Sequence, residues 1–443
     1  MEKQNNSPVK LERSLGFVAS LTLVIGTVIG SGIFFKQASV LDYAGSTTNA
    51  LLAWTLGGVI TLTSGLTIAE IGAQLPHTGG LYVYMEKFYG KLWGFLTGWM
   101  QIIIYGPAMI AALGAYLAVL LISFFNLSND LAPTIAIGSI VLITAFNMLS
   151  TRYGAYFQII TTIGKFVPIV AIVIFGLFFG NQNALGQSIA TVSSHATGAN
   201  LGVAVLATLF AYDGWILLAN MGGEIKNAKK TLPLAIICGI ALVLLTYMLV
   251  TFAVFRVMPA DLIHKLGENA TPHFATMAFG KMGGRLLNIG IIISIIGCMN
   301  GKVMSFPRIM YAMAKNNELP FSKQLAYLHK TMHTPMVACA VTSLIAIVMI
   351  IFVDADRLTE VCIFTIYCFY VMTFFGIFRL RKENPDGDHF KTPLYPFVPI
   401  VAIISTSFVL VSEVFSDFSG VVVSLIFILA GVPIYLYKQK QNN

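Results

Sequence analysis

The sequence predicts an all-α membrane protein of twelve transmembrane helices, with the first and the sixth broken in mid-span. Three observations predict this. The 443 residues are 57% hydrophobic and only 10% charged, with a mean hydropathy of +0.80, whereas soluble domains carry about 25% charge. Apolar runs long enough to cross a bilayer recur from one end to the other. Two of them are interrupted deep inside, at Gly30-Ser31-Gly32 and at Asp213-Gly214.

The runs lie at about 15–43, 47–71, 90–122, 132–149, 156–179, 199–222, 232–255, 283–313, 335–353, 357–380, 395–415 and 419–437. A cleavable signal peptide would account for one of them, not for twelve. An even number of spans puts the two tails, 1–14 and 438–443, on one side. Lys3, Lys10, Arg13, Lys438 and Lys440 are in those tails. Lys87, Lys91, Arg152, Lys226, Lys229, Lys230, Lys315, Lys323, Lys330, Arg379, Arg381, Lys382 and Lys391 fall on the same side. Loops 123–131 and 180–198 carry no Lys or Arg. The positive-inside rule then makes both termini cytoplasmic in a plasma membrane. It also accounts for the net charge of +8 without a nucleic-acid partner. The partners expected are the lipid bilayer and small molecules.

In the first segment, Gly30 and Gly32 flank Ser31. Each glycine costs a helix interior roughly 1 kcal/mol against alanine. Unwound backbone survives in a bilayer only beside protein or a cavity. Two readings fit. One is a small-residue patch for close helix packing. The other is a deliberate break. The amides of Ser31, Gly32 and Ile33 then open a second half-helix whose positive end suits a carboxylate. The carbonyls near Thr27 and Val28 suit an ammonium. One break offers both poles of a zwitterion.

The stretch Leu75 to Tyr84, with Pro76 and Gly79-Gly80, has turn chemistry. It reads either as a re-entrant piece packed on the bundle or as an ordinary turn. Segment five holds Lys165 about nine residues from its basic-side end. An ionisable group at that depth marks a functional site by default; the alternative, a snorkelling stem, would have to climb most of a leaflet. Segment six contains Phe210-Ala211-Tyr212-Asp213-Gly214-Trp215. Entering from the basic side near Leu15, the chain reaches Gly30 after roughly 22 Å of helix; entering from the opposite side near Ala199, it reaches Asp213 after roughly 21 Å. Both breaks therefore lie near the midplane. Two interrupted helices at corresponding places in two five-segment units point to a transporter with inverted repeats. The units are 15–180 and 199–382, with 395–437 as two extra helices.

Other polar residues carry less. Lys302 and Arg308 sit where they can snorkel, and Glu70 and Glu224 sit near segment ends within reach of loop lysines. The seven histidines fall in loops, and the five cysteines fall in apolar runs without metal-ligand spacing. No metal, no cofactor and no catalytic residue is expected at membrane depth. An enzyme would need its chemistry in the loops. There Asp261, His264 and His273 of loop 256–282 read better as a short extracellular lid.

Four motifs in order carry a resemblance. They are Ile29-Gly30-Ser31-Gly32-Ile33-Phe34, Pro76-His77-Thr78-Gly79-Gly80-Leu81-Tyr82, Phe210-Ala211-Tyr212-Asp213-Gly214-Trp215, and Asn300-Gly301 followed by Arg308-Ile309-Met310-Tyr311. The chain resembles the amino acid–polyamine–organocation superfamily. Its closest likeness is to the L-amino acid transporter family, the light subunits of heteromeric transporters and their bacterial relatives, which include alanine–serine–cysteine exchangers. The resemblance implies the LeuT-type 5+5 inverted-repeat fold and sodium-independent amino acid exchange. It implies that Ser31, Gly32 and Ile33 bind the substrate carboxylate and that carbonyls near Thr27, Val28 and Phe210 bind its amine. Phe210 matches the family's aromatic gate, with Ala211, Asp213 and Gly214 at the second break. Where sodium-coupled relatives of this architecture hold a cation between the first broken helix and segment eight, this chain has Lys165. Its expected acceptors are the Gly26 carbonyl and a hydroxyl such as Ser294, with Tyr247 in support. The loop from Ser123 to Ala132 lacks the cysteine that links light to heavy subunits, so no disulfide-linked partner is expected.

Asp213 stays open between attracting a cationic side chain and being satisfied by backbone amides. Three functions also remain open at this point. They are exchange of small neutral amino acids, proton-coupled symport or exchange extending to cationic amino acids, and a membrane enzyme or nutrient sensor.

Overall fold

The computed structural model describes residues 11–189, 200–352, 355–385, 387–416 and 418–442. The tail lysines Lys3 and Lys10, His195, and the expected start of segment six at 199 lie outside the described residues. Among those described, no strand longer than an isolated bridge occurs, and the protein is all-α.

The first segment is two helices, α1 (Phe17–Val28) and α2 (Gly32–Ala44), bent by 42° at the Gly30 break. Helix α3 (Thr47–Gln74) starts at Ser46, whose hydroxyl accepts the Asn49 amide as an N-cap. The short α4 (Leu81–Tyr89) follows the Gly79-Gly80 turn. Segment three is α5 (Lys91–Met100) and α6 (Gly106–Phe125), joined by a π-helical turn at Gln101–Tyr105. Such turns tend to mark functional positions. Next come α7 (Ala132–Leu149) and α8 (Thr151–Phe179), the latter capped by Ser150. Segment six is α9 (Leu201–Ala211), a non-helical stretch, and α10 (Leu217–Asn220). After it come α11 (Ala228–Val257), α12 (Ala260–Leu266), α13 (Ala270–Lys315), α14 (Ser322–Leu325), α15 (Met336–Phe352) and α16 (Ala355–Glu383). The chain closes with α17 (Phe397–Ser416), α18 (Phe418–Leu429) and α19 (Gly431–Asn442).

Among the described residues, nine helical stretches are long and apolar enough to cross a membrane, and α1 with α2 forms a tenth across its bend. The shorter α9 and α15 stand where segments six and nine were expected. Three boundaries differ from the sequence reading. Helix α13 begins well before 283, because Gly280 (φ 69°) joins a separate helical piece to its start. The supposed lid at 256–282 is therefore largely helical, so His264 and His273 sit on helices rather than in loops. The tail at 438–443 continues α19 through Asn442 instead of leaving the helix.

Helix α1 is buried from Leu23 through Val28, and α13 is buried without interruption from Gly297 to Ala314. Peripheral helices instead turn one stripe inward and expose residues such as Leu142 and Phe415 to lipid. The two broken segments and α13 thus occupy the centre of the molecule.

Candidate functional site

Ile29 leaves helical geometry (φ −73°, ψ 95°), which ends α1. Helix α2 starts without a side-chain cap. The amides of Gly32 and Ile33 at its start have no intrahelical acceptor, whereas that of Phe34 bonds the Ser31 carbonyl at 3.0 Å. The two breaks meet directly. A β-carbon at Gly32 would lie 2.6 Å from the Cα of Ala211, and one at Gly214 (φ 115°) would lie 2.7 Å from the Thr27 carbonyl oxygen. The Thr27 hydroxyl is 3.1 Å from the Gly214 carbonyl. The buried Tyr247 hydroxyl sits 3.2 Å from the Val28 carbonyl and 2.9 Å from that of Ala211, spanning both breaks. Glycine is required at 32 and 214 because backbone passes against backbone there.

Lys165 is fully buried and does not snorkel. Its ammonium donates to the Gly26 carbonyl at 2.9 Å and to the Ile29 carbonyl. Among the described residues no hydrogen bond joins Ser294 to Lys165; the two share the Ile29 carbonyl. The Ser294 hydroxyl lies 3.2 Å from the Ile29 carbonyl and 3.1 Å from that of Gly30. Both side chains are drawn to carbonyls that the break strips of their helical amides. Tyr247 likewise serves the breaks and not the lysine contact expected of it.

A pocket opens where the breaks meet. Thr27, Val28, Gly30, Ser31 and Gly32 line it from the first break, Phe210 and Asp213 from the second, Met109, Ala112 and Leu113 from α6, and Cys298 and Lys302 from α13. Of the residues singled out from sequence, Ile33, Ala211 and Gly214 are absent from this lining; Ala211 and Gly214 form the backbone junction beside it. Phe210 is half-buried, with the Lys36 ammonium 5.6 Å from its ring centre.

Asp213 follows neither expectation. Its carboxylate accepts the Tyr105 hydroxyl at 2.6 Å and pairs with the Lys302 ammonium at 3.2 Å. Lys302 was expected to snorkel and is instead buried, because α13 runs through the interior. Ser294, Cys298 and Lys302, four residues apart, form one stripe of α13 facing the breaks. That spacing was the available sequence signal for Cys298 and Lys302. Tyr105 had none beyond its place just before Gly106-Pro107.

Other ionisable residues are also paired internally. Arg308 is buried against Glu224 at 3.0 Å and Thr151 at 2.7 Å, not snorkelling. Glu70 takes two bonds from Arg381, at 2.6 and 2.8 Å, and one from the Thr392 amide. Helix-borne arginines, not loop lysines, thus satisfy both glutamates. The 75–84 turn packs under α10, with the Gly79 amide 2.9 Å from the Asn220 carbonyl. A β-carbon at Gly80 would strike Asn220.

The family model described as amino acid permease matches residues 15–436. The chain belongs to that family. It is 47% identical over 433 residues to the serine/threonine exchanger SteT of Bacillus subtilis (strain 168), covering 98% of each chain. It is 28% identical over 443 residues to the human cystine/glutamate transporter, covering 98% of this chain and 87% of that one. It is 30% identical over 448 residues to the mouse Asc-type amino acid transporter 1, covering 96% and 81%. Within the family the chain falls in the L-amino acid transporter branch, as a multi-pass membrane protein.

Proposed function

We propose that the protein is a sodium-independent exchanger of small neutral L-amino acids, alanine, serine and cysteine among them, working by alternating access. The observation that carries this is the junction of the two breaks. It sets uncapped α2 amides and α1 carbonyls around one pocket whose carboxylate, Asp213, already holds an internal cation. The amides of Ser31, Gly32 and Ile33 bind the substrate carboxylate. Carbonyls of Thr27, Val28 and Phe210 receive its ammonium. The Asp213–Lys302 pair leaves the pocket no net charge for a cationic side chain to seek. Phe210 closes over the bound amino acid.

Lys165 ties the first break to α8 with an ammonium, so the arrangement needs no sodium there. The units 15–180 and 199–382 are the two inverted repeats, each giving one broken helix to the pocket, with 395–437 outside them; the helix pair α1 and α8 separates and rejoins during the cycle, the basic face is cytoplasmic, and the membrane is the plasma membrane. The names of the relatives, a serine/threonine exchanger and an Asc-type transporter, agree with small neutral substrates. No disulfide-linked subunit is invoked, because loop 123–131 has no cysteine.

The experiment is uptake of labelled serine into proteoliposomes. Uptake only when the lumen holds unlabelled amino acid supports exchange. Uptake into empty vesicles driven by a pH gradient would make the protein a symporter, and uptake under neither condition would remove it from the transporters.

A further inference from the structure

A second cavity, of about 440 Å³, lies on the basic face and is separate from the central pocket. Glu86 of α4 and Glu318, just beyond α13, contribute two carboxylates to it. Lys91 at the start of α5 and Lys438 of α19 contribute two ammoniums, and Asn316 and Gln439 add amides. Among the described residues no ion pair joins any of these four charges. Lys438 is buried, yet its acceptors are neutral amide oxygens, Asn317 at 3.4 Å and Gln441 at 3.3 Å. The Glu318 carboxyl takes a hydrogen bond from Tyr82, but its buried Oε2 atom has no hydrogen-bond partner among the described residues.

The walls are held in place. Tyr435, which also lines the cavity, packs on Phe95 at 5.4 Å; Phe95 stacks on Trp99, whose indole donates to the Phe427 carbonyl at 3.2 Å. These contacts pin the last two helices to α5. Trp93, Leu436 and Tyr437, sequence neighbours of the lining residues Lys91, Tyr435 and Lys438, are exposed. Aromatic residues of this kind mark the headgroup level of a bilayer.

Two carboxylates and two ammoniums that form no ion pair with one another suit neither a simple anion nor a simple cation, since each is attracted by one pair and repelled by the other. A molecule with both signs satisfies both. Its ammonium would donate to Glu86 and Glu318, and its anionic oxygens would accept from Lys91, Lys438 and the amides. We propose that this cavity binds a zwitterion made of a primary ammonium and an anionic group, supplied by the ethanolamine headgroup of a phospholipid in the adjoining leaflet. A choline headgroup has no N–H to give the carboxylates, and a glycerol headgroup has no cation.

The test is the thermal midpoint of the purified full chain in detergent. Added phosphatidylethanolamine, phosphatidylcholine, phosphatidylglycerol and soluble phosphoethanolamine are compared. Phosphatidylethanolamine should raise the midpoint by several degrees, and the choline and glycerol lipids should not. The double variant Glu318→Gln/Lys438→Gln should lose that rise. If it does not fold, Glu86→Gln/Lys91→Gln, which removes the exposed Lys91 in place of the buried Lys438, gives the same reading. A rise with phosphoethanolamine but none with the lipid would overturn the lipid as source and leave a soluble zwitterion. Equal rises with ethanolamine and choline lipids, or a rise that survives in the variants, would overturn the site.

Discussion

Replacing Lys165 with alanine perturbs the account where it is most exposed. The ammonium donates to the carbonyls of Gly26 and Ile29. After the substitution Ile29 keeps the Ser294 hydroxyl. Gly26 loses the one side-chain donor it has among the described residues, and the break at Gly30 leaves it no helical amide in exchange. A hydrogen bond to a charged group is worth about 1.5–3 kcal/mol, and an orphaned buried acceptor costs a further share. A net loss of about 3 kcal/mol is reasonable for this site, roughly a hundredfold in an equilibrium. The bonds hold α1 against α8, so the loss falls on the arrangement in which those helices touch and displaces the conformational equilibrium. Lys165→Ala should therefore slow serine exchange at least tenfold. It should change the apparent KM unequally on the two faces, and serine should still raise the thermal midpoint. The assay is counterflow in liposomes with substrate varied on each side in turn. Wild-type rates and affinities on both faces would refute the role of the ammonium.

Other predictions follow from single contacts. Gly32→Ala should abolish exchange in a folded protein, since its β-carbon would lie 2.6 Å from the Ala211 backbone; normal substrate affinity by counterflow would contradict the close approach. Asp213→Asn or Lys302→Gln alone leaves one buried charge uncompensated, at a cost of about 3–5 kcal/mol. Each should lower the thermal midpoint, and the double variant should recover most of the loss; strictly additive losses would mean the pair is not coupled. Burial lifts the Glu318 carboxyl from its ordinary 4.5 to about 7, against the hydrogen bond from Tyr82 and with help from Glu86. A carboxyl raised in the folded state stabilises when protonated, fully below about 4.5, and that stability is lost as pH rises through about 7. Without added lipid, the wild-type midpoint should fall across that window more steeply than that of Glu318→Gln; equal slopes would contradict it.

The breaks were legible because glycines and an aspartate in mid-span violate helix and bilayer rules at once, and because counting residues at a fixed rise places Gly30 and Asp213 at one depth. Which partners satisfy the buried charges was not legible. A lysine or arginine within one stem's reach of a helix end reads as a snorkeller. Only the central position of α13 makes Lys302 and Arg308 interior, with Asp213 and Glu224 as their partners. The partner of Glu70 lies 311 residues away in sequence, beyond any local pattern. The sequence marks Ser294 as a hydroxyl near the break, yet its acceptors depend on how α1 unwinds. Depth marked Lys165 as buried and in need of an acceptor, and the resemblance to transporters that hold a cation beside the first break pointed to the Gly26 carbonyl.

The most direct measurement is counterflow of labelled serine by the purified wild-type protein in sodium-free liposomes without a pH gradient. Label should accumulate only when the lumen holds unlabelled small neutral amino acid, and internal lysine or arginine should not replace it. Accumulation into empty vesicles, or equal exchange against internal lysine, would contradict an exchanger whose pocket carboxylate is already occupied by Lys302.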